Sequence, residues 1–262
     1  MLVYKVIINN SNSNSNSSST SSRDTIIIII IIINIIKYNH NQSMSHNSEE
    51  DSVYENTNGM PMAAGRNLHM EVGPGEIANR VVTVGSQQRA SKIAAFLDKT
   101  TPITTITSSR GFTTITGTYN NIPVSIVAIG MGPSMMDFFV RETRAVVKGP
   151  MAIVRFGTCG GLAPAASAGV VAVATKGSGF VTRDPNAFAY NYGTDKNSND
   201  DSYSKKYIMS KIAPSEESLS NLVVSQLKEA IGEEAVLEGA NVTAESFYSS
   251  QGYFIISFIY LL

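Results

Sequence analysis

The sequence predicts an α/β protein with three layers, in which helices cover both faces of a central, mixed and twisted β-sheet. Two observations lead to this prediction. Strand-like and helix-like patterns alternate through the middle of the chain, and the 262 residues are enough for one α/β domain or two small ones. The net charge is only −1, so a nucleic-acid-binding surface has no electrostatic support.

The first elements of this region are a strand, a helix and three further strands. "RVVTVG" is a short β-branched run that ends at Gly85, and "SQQRASKIAAFLDK" has apolar residues at helical spacing. The stretch "PITTITSSRGFTTITGTYNNIPVSIVAIG" predicts three strands. Asn120-Asn121 is expected to form a hairpin turn, because asparagine tolerates a positive φ angle.

The later elements are two helices with two strands between them. "PSMMDFFVRETRAVVKG" predicts a helix from Pro133 to Gly149, followed by the strands "MAIVRFG" and "GVVAVAT". "PSEESLSNLVVSQLKEAIG" predicts a helix with Ser215 as its N-cap and Gly232 at its end. The intervening stretch "YNYGTDKNSNDDSYSKKY" is predicted to be a polar loop.

Both ends of the chain differ in composition from the predicted domain, residues 61–252. Residues 1–60 are of low complexity and are predicted to be disordered and outside the core. Their isoleucine run, Ile26 to Ile36, is shorter than the ~20 residues of a membrane span and lacks the flanks of a signal peptide. The apolar tail, residues 253–262, is also too short to span a bilayer. No membrane association is therefore expected.

The cysteine and histidine content limits the possible chemistry. Cys159 is the single cysteine, so no intrachain disulfide can form, which is consistent with a cytoplasmic protein. The three histidines, His40, His46 and His69, form no Cys/His cluster with the spacing of metal ligands. A metal site is therefore not expected.

Three predicted strands end in glycine turns, at Gly85, Gly130 and Gly157. Each turn alone needs no function, and none has the full dinucleotide-binding fingerprint. Ligands of α/β proteins nevertheless bind at the carboxyl ends of strands, and three arginines, Arg89, Arg110 and Arg155, lie near such ends. Because arginine binds phosphate through a planar fork of donors and exposed turn N–H groups add more, a site for a phosphate dianion is expected.

The motifs "VTVGSQQR", "SSRGFTT", "IVRFGTCGG" and "ESFYSSQG" together resemble those of the nucleoside phosphorylase superfamily, and within it uridine phosphorylases, over roughly residues 67 to 252. The resemblance implies a phosphorylase-like three-layer α/β fold and a dimer-based homo-oligomer, a hexamer in the family. It also implies cleavage of a nucleoside by inorganic phosphate to a free base and ribose 1-phosphate, with no organic cofactor.

The same resemblance implies roles for individual residues. Arg89, Arg155 and Thr158 would be catalytic and would bind phosphate together with Gly85 and, from a neighbouring subunit, Arg110. The residues expected to bind the nucleoside are His69, Cys159, Gly160, Phe247 and Gln251. His69 would contact the ribose 5′-hydroxyl across the dimer, and Phe247 would stack on the base.

This chemistry agrees with the residue types. A phosphate oxygen attacks the anomeric carbon while the base departs with developing negative charge, so orientation and electrostatic complementarity do most of the catalysis. The amide of Gln251 offers both an acceptor and donors, which match the N3–H and O2 edge of uracil. Purine specificity stays open, because the acid that purine-specific relatives use would lie beyond Leu262.

After Gly252 the sequence departs from the family motif. Tyr253 occupies the place of an arginine that binds the base, and no Glu-Met-Glu motif for the ribose hydroxyls follows. The expectation is a domain that is truncated and incomplete at its C-terminus, with a phosphate half-site and impaired phosphorolysis.

Three alternatives remain at this stage. Cys159 could be a nucleophile with His69 as its partner. The chain could be a phosphorylase-like binding protein without catalysis. It could also be a nucleoside hydrolase of the same fold, although hydrolysis does not need the three arginines that phosphate binding would use.

Overall fold

The computed structural model describes residues 2–9, 61–184 and 207–248. The α-helices within these described residues are α1 (Gln87–Ala94), α2 (Pro133–Val146) and α3 (Glu217–Ile231). Its strands are β1 (Leu2–Asn9), β2 (Met62–Ala63), β3 (Arg66–Asn67), β4 (Arg80–Val84), β5 (Thr104–Thr107), β6 (Thr113–Tyr119), β7 (Ile122–Ala128), β8 (Ala152–Cys159), β9 (Val171–Val173), β10 (Ser178–Arg183), β11 (Tyr207–Met209), β12 (Val236–Glu238) and β13 (Asn241–Ala244).

The main sheet has eight strands in the order β12-β9-β1-β8-β4-β7-β6-β5. The four central strands, β1, β8, β4 and β7, run parallel to one another, whereas β9, β6 and β5 join through antiparallel pairs. A smaller sheet has the order β11-β10-β13, and β2 and β3 form a hairpin. The main sheet is therefore mixed, as the sequence predicts.

Two hydrophobic cores lie on opposite faces of the main sheet. Val82 and Val84 of β4 belong to the core that contains buried residues of α1 and α3. Val81 belongs to the other core, with Phe139 of α2. Because successive side chains of a strand point to opposite faces, α1 and α3 cover one face and α2 covers the other. The predicted three-layer α/β/α architecture is confirmed.

The position of the N-terminal strand β1 differs from what was predicted, namely that residues 1–60 lie outside the core. Leu2–Asn9 lies in the interior of the main sheet, parallel to β8 and antiparallel to β9. The physical reason is local, because "LVYKVIIN" is rich in β-branched and aromatic residues and differs from the polar tract that follows it. The remainder of the predicted disordered segment, from residue 10 to residue 60, lies outside the described residues, as does the tail 253–262.

The hairpin between β6 and β7 follows the prediction. Asn120 and Asn121 have φ angles of 51° and 63°, the left-handed conformation that asparagine tolerates. Their N–H groups donate to the carboxylate of Asp98 at 3.1 Å and 2.8 Å. The turn is thus held by a side chain from the loop after α1.

The helix ends differ in detail from the prediction. Helix α2 begins at Pro133 as expected but ends at Val146. Helix α3 has Glu216 as its N-cap, whereas the predicted cap, Ser215, donates its hydroxyl to the carbonyl of Ala174. Glu216 reaches the first-turn N–H groups with a longer side chain and leaves Ser215 free to join α3 to the end of β9. Gly232 ends α3 with a φ of 90°, as predicted.

Candidate functional site

The carboxyl ends of β4, β7 and β8 meet at one edge of the main sheet, because these strands are parallel neighbours. Backbone hydrogen bonds continue the pairing into the turns. The N–H of Ile129 donates to the carbonyl of Val84, and that of Gly130 donates to the carbonyl of Gly85, both at 3.0 Å. Gly130 has a φ of 72°, which favours glycine at this turn. Two of the predicted glycine turns are therefore joined.

Arg155 extends its guanidinium toward these turns. It lies opposite Thr83 in the β8–β4 register, on the face of the sheet that α2 covers. Its Nη2 donates to the carbonyl of Gly130 at 3.2 Å, and its Nη1 lies 3.4 Å from the hydroxyl oxygen of Thr83. No carboxylate among the described residues forms an ion pair with Arg155. Its acceptors among the described residues, Thr83 and Gly130, are neutral.

Arg89 brings a second positive charge to the same place. It lies in the first turn of α1, where Ser86 caps the helix by accepting the Arg89 N–H at 3.2 Å. Burial and then the nearby charge of Arg89 lower the pKa of Arg155 to about 10. Arg155 therefore stays protonated at neutral pH. A Cβ atom built on Gly85 would lie 3.8 Å from Nη2 of Arg155. The Gly85 turn therefore lies beside Arg155, near the charge of Arg89.

The end of β8 completes this edge of the sheet and extends further than predicted. The strand was expected to stop at Gly157, but it continues to Cys159, because its backbone pairs with β1 as far as Asn9. Thr158 and Gly160 are exposed and Cys159 is partly buried. The Nδ1 atom of His69 contacts Glu142 and not Cys159. The arrangement does not favour a cysteine–histidine pair.

Arg110 lies at the same edge but away from Arg89 and Arg155. It follows β5, which is separated from β4 by β6 and β7. Three strand spacings therefore place β5 about 14 Å from β4. Its turn is held by Glu71, which accepts the N–H and the hydroxyl of Ser109 at 3.0 Å and 2.5 Å. These bonds, together with the charges of Arg66 and Arg110, lower the pKa of Glu71.

The His69 ring is fixed by two residues of α2. Its Nδ1 lies 2.5 Å from Oε1 of Glu142, and its face stacks on Phe138 with ring centroids 4.0 Å apart. Glu142 was not among the site residues predicted from the sequence. A usable signal was present, because Glu142 lies three residues after Phe139 and four before Val146, on the otherwise non-ionic buried face of α2.

The predicted base-binding residues lie after the smaller sheet. Phe247 follows β13 with 62% of its surface exposed, and its ring meets that of Tyr248 edge-on at 5.0 Å. Gln251 lies outside the described residues. The structure thus brings together Gly85, Arg89 and Arg155, whereas a shared role for Phe247 and Gln251 stays a prediction.

Neither a metal centre nor a membrane helix is found in the part of the chain that the structure describes. Within residues 2–9, 61–184 and 207–248, no three His, Cys, Asp or Glu side chains cluster as metal ligands would. The helices in the same ranges are too short or too polar to cross a membrane.

Comparison with known proteins identifies the class to which this fold belongs. Residues 79–255 match the family model of the phosphorylase superfamily, which is more than half of the chain. The chain belongs to this superfamily. The resemblance to nucleoside phosphorylases found in the sequence motifs is therefore confirmed.

Individual relatives show which members the chain resembles. A structure from a study of two uridine phosphorylases of the oomycete Phytophthora capsici is 42% identical, with a TM-score of 0.67, over 79% of this chain and 72% of that one. A nucleoside phosphorylase of Trypanosoma brucei, 22% identical with a TM-score of 0.55 over 76% of this chain and 73% of that one, supports the fold alone.

Two curated relatives match shorter stretches. A DeoD-type purine nucleoside phosphorylase of a Geobacillus species is 33% identical over 96 residues, 36% of this chain and 39% of that protein. A uridine phosphorylase of Thermococcus kodakarensis is 27% identical over 110 residues, 42% of this chain and 38% of that protein. The matches span about two fifths of the length of these relatives.

Proposed function

We propose that this protein binds inorganic phosphate at the edge of the sheet formed by Gly85, Arg89 and Arg155, and uses it to cleave a nucleoside. The single observation that carries the proposal is the position of Arg155. Arg155 is a part-buried cation whose acceptors, Thr83 and Gly130, are neutral, and Arg89 places a second positive charge beside it. Two neighbouring cations favour the binding of a dianion. Thr158 lies at the end of the same strand and would add a hydroxyl donor.

The chemistry that this arrangement supports is phosphorolysis. The arginines would hold phosphate so that one oxygen attacks the anomeric carbon of the nucleoside, while the base leaves and ribose 1-phosphate forms. Pre-oriented positive charge stabilises the charge that develops, and no organic cofactor takes part. Uridine is the first candidate substrate, because the structure that is 42% identical comes from a study of uridine phosphorylases.

The assembly is part of the proposal. Arg110 lies three strands from β4, so its expected role requires that it reach the phosphate of a second subunit in a dimer-based homo-oligomer. His69 would likewise contact the ribose of the neighbouring nucleoside, and Phe247 with Gln251 would bind the base. We place the protein in the cytoplasm, as its single cysteine indicates.

The test is an assay of the purified full chain with uridine, with and without phosphate. Because the sequence departs from the family motif after Gly252, we expect turnover to be impaired, and the uracil and ribose 1-phosphate that do form should appear only when phosphate is present. Arg155→Ala should lower kcat/KM by about 10²- to 10³-fold, as the loss of one preorganised donor does in other enzymes. Arg80→Ala, at the opposite end of β4, is the matched control and should keep the activity.

The hydrolase and the non-catalytic alternatives each predict a different result in this assay. Uracil release that does not depend on phosphate would identify a hydrolase and would refute phosphorolysis. Phosphate binding by calorimetry without release of any base would support the non-catalytic reading.

Purine phosphorolysis is the second candidate, since a purine nucleoside phosphorylase matches 96 residues at 33% identity. Inosine is therefore assayed beside uridine. A higher kcat/KM for inosine would overturn the pyrimidine assignment and leave the phosphate site in place.

A further inference from the structure

The carboxylate of Glu142 is a buried side chain of α2 that contacts backbone N–H groups and the ring of His69. Its side chain is 1% exposed. Oε2 accepts the N–H of Met70 at 2.8 Å, and both oxygens lie 3.1 Å from the N–H of His69. Burying a carboxylate is costly unless donors surround it, and here the N–H groups of His69 and Met70 do so. The carboxylate also contacts one side chain, the ring of His69, which its backbone contacts do not require.

The contact with the imidazole ring determines where the ring carries its proton. While Glu142 is ionised its carboxylate only accepts hydrogen bonds, and the Nδ1 of His69, 2.5 Å from Oε1 of Glu142, then carries the proton. In a neutral ring this leaves Nε2 as an acceptor. Nε2 makes no hydrogen bond to any described residue, and the ring is 22% exposed. Phe138, one turn earlier on α2, holds the ring face.

We propose that Glu142 is a positioning residue that holds His69 with Nδ1 protonated and offers Nε2 as an acceptor for a ligand hydroxyl group. The identity of that hydroxyl rests on the proposed function, in which it is the 5′-hydroxyl of the nucleoside bound to a neighbouring subunit. Glu142 would then select nucleosides that carry this hydroxyl, although its own carboxylate touches only the protein.

The first test reads the proton directly by long-range ¹⁵N–¹H correlation of the full chain with ¹⁵N-labelled histidine. His69→Asn assigns the signal among the three histidines. At a pH at which the ¹⁵N shifts show the ring to be neutral, His69 should be protonated on Nδ1 and not on Nε2. Glu142→Gln should move the proton to Nε2, because the amide can donate to Nδ1.

Two further variants serve as controls. Glu142→Asp keeps an acceptor and should retain the Nδ1–H form. Asp137→Asn removes a charge from the same helix, five residues earlier, and should leave the His69 signal unchanged. A wild-type His69 protonated on Nε2, or a folded Glu142→Gln chain with an unchanged signal, would overturn the proposal. Should Glu142→Gln fail to fold, the wild-type and Glu142→Asp spectra still decide it.

The second test measures selection of the hydroxyl group. Wild type should prefer uridine over 5′-deoxyuridine in kcat/KM, and Glu142→Gln should reduce this preference by about tenfold, the value of one good hydrogen bond. A purely structural role would lower both rates equally, and that result would refute positioning. Absence of turnover by the wild type would count against the proposed phosphorolysis alone, since the spectra decide the role of Glu142 separately.

Discussion

At the scale of single residues, the surroundings of Arg155 explain why a strand of the core contains a permanent cation. Its neighbours are the hydroxyl of Thr83 and the carbonyl of Gly130, which satisfy donors but do not neutralise charge. The pKa of Arg155, lowered to about 10 by burial and by Arg89, shows that the folded state disfavours the charged form. An anion at this site would remove that cost.

The lowered pKa of Arg155 predicts that replacing this residue affects the stability of the fold and the binding of phosphate in different ways. Between about pH 10 and the ordinary arginine pKa, the unfolded chain binds more protons than the folded chain does. The charge of Arg155 therefore lowers the free energy of unfolding in full below about pH 10, and this loss is relieved as the pH rises above that value. Arg155→Met should therefore leave the melting temperature without phosphate unchanged or higher. The same variant should abolish the rise in melting temperature that phosphate produces in the wild type.

The matched control is Arg80→Met, which replaces another part-buried arginine, at the amino end of β4, whose pKa is also lowered by burial. It should keep the effect of phosphate on the melting temperature. A phosphate-induced rise that survives Arg155→Met would contradict the assignment of the site.

Asp98 provides a second residue-scale prediction, for the hairpin. The N–H of Asn121, the hydroxyl of Thr118 and the N–H of Asn120 lower its pKa. The stabilisation is therefore present above the unfolded pKa of about 3.9 and is lost as the pH falls through the lower folded value. Asp98→Asn should lower the melting temperature at neutral pH, and the difference from wild type should shrink toward about pH 3. A difference that stays constant over this range would show that the charge of Asp98 has no role.

At the scale of secondary-structure elements, each helix begins where a side chain accepts a first-turn N–H group or where a proline, which has no N–H, occupies the first turn. Ser86 caps α1, Glu216 caps α3 and Pro133 opens α2. The starts of α1 and α2 follow the carboxyl ends of β4 and β7, so both helices begin at the edge where the candidate phosphate site lies. Which residue caps a helix depends on the contacts of its side chain. The hydroxyl of Ser215 is bonded to the carbonyl of Ala174, so Glu216 caps α3 instead.

The cap of α3 can be tested by Glu216→Ala. The carboxylate accepts the N–H groups of Ser218 and Leu219 at 3.2 Å and 2.5 Å, and loss of an N-cap costs about 1 kcal/mol. Urea unfolding should show this loss. Glu217→Ala, in the first turn of the same helix, removes an equal charge and should cost less, since only the helix dipole is affected.

At the scale of the whole molecule, one sheet holds two cores together, and β1 connects its two halves. Without β1, the strand pair β12-β9 would have no hydrogen-bonded link to β8 within the main sheet. Residues 2–9 therefore have a structural role that the low-complexity composition of the following segment conceals.

The role of β1 predicts a strong effect of proline at Val6, which is opposite Phe156 of β8 and Val173 of β9. Proline lacks the N–H that an interior strand needs, so Val6→Pro should lower the free energy of unfolding by on the order of 3 kcal/mol. Thr104→Pro, at the first residue of the edge strand β5, should cost clearly less. Equal stability of Val6→Pro and wild type would show that β1 is dispensable.

The sequence by itself determined the class of fold, the middle strands and helices, the Asn120-Asn121 turn and the residue types of the candidate site, because these depend on periodicity and turn chemistry within short windows. It did not reveal the short strands β10 to β13 or the place of β1. Only the tertiary structure decided which distant residues meet: Arg155 with Thr83 across 72 positions, and Glu142 with His69 across 73. The physical reason is that strand order and helix packing create these contacts, and neither is written in the local pattern of either partner.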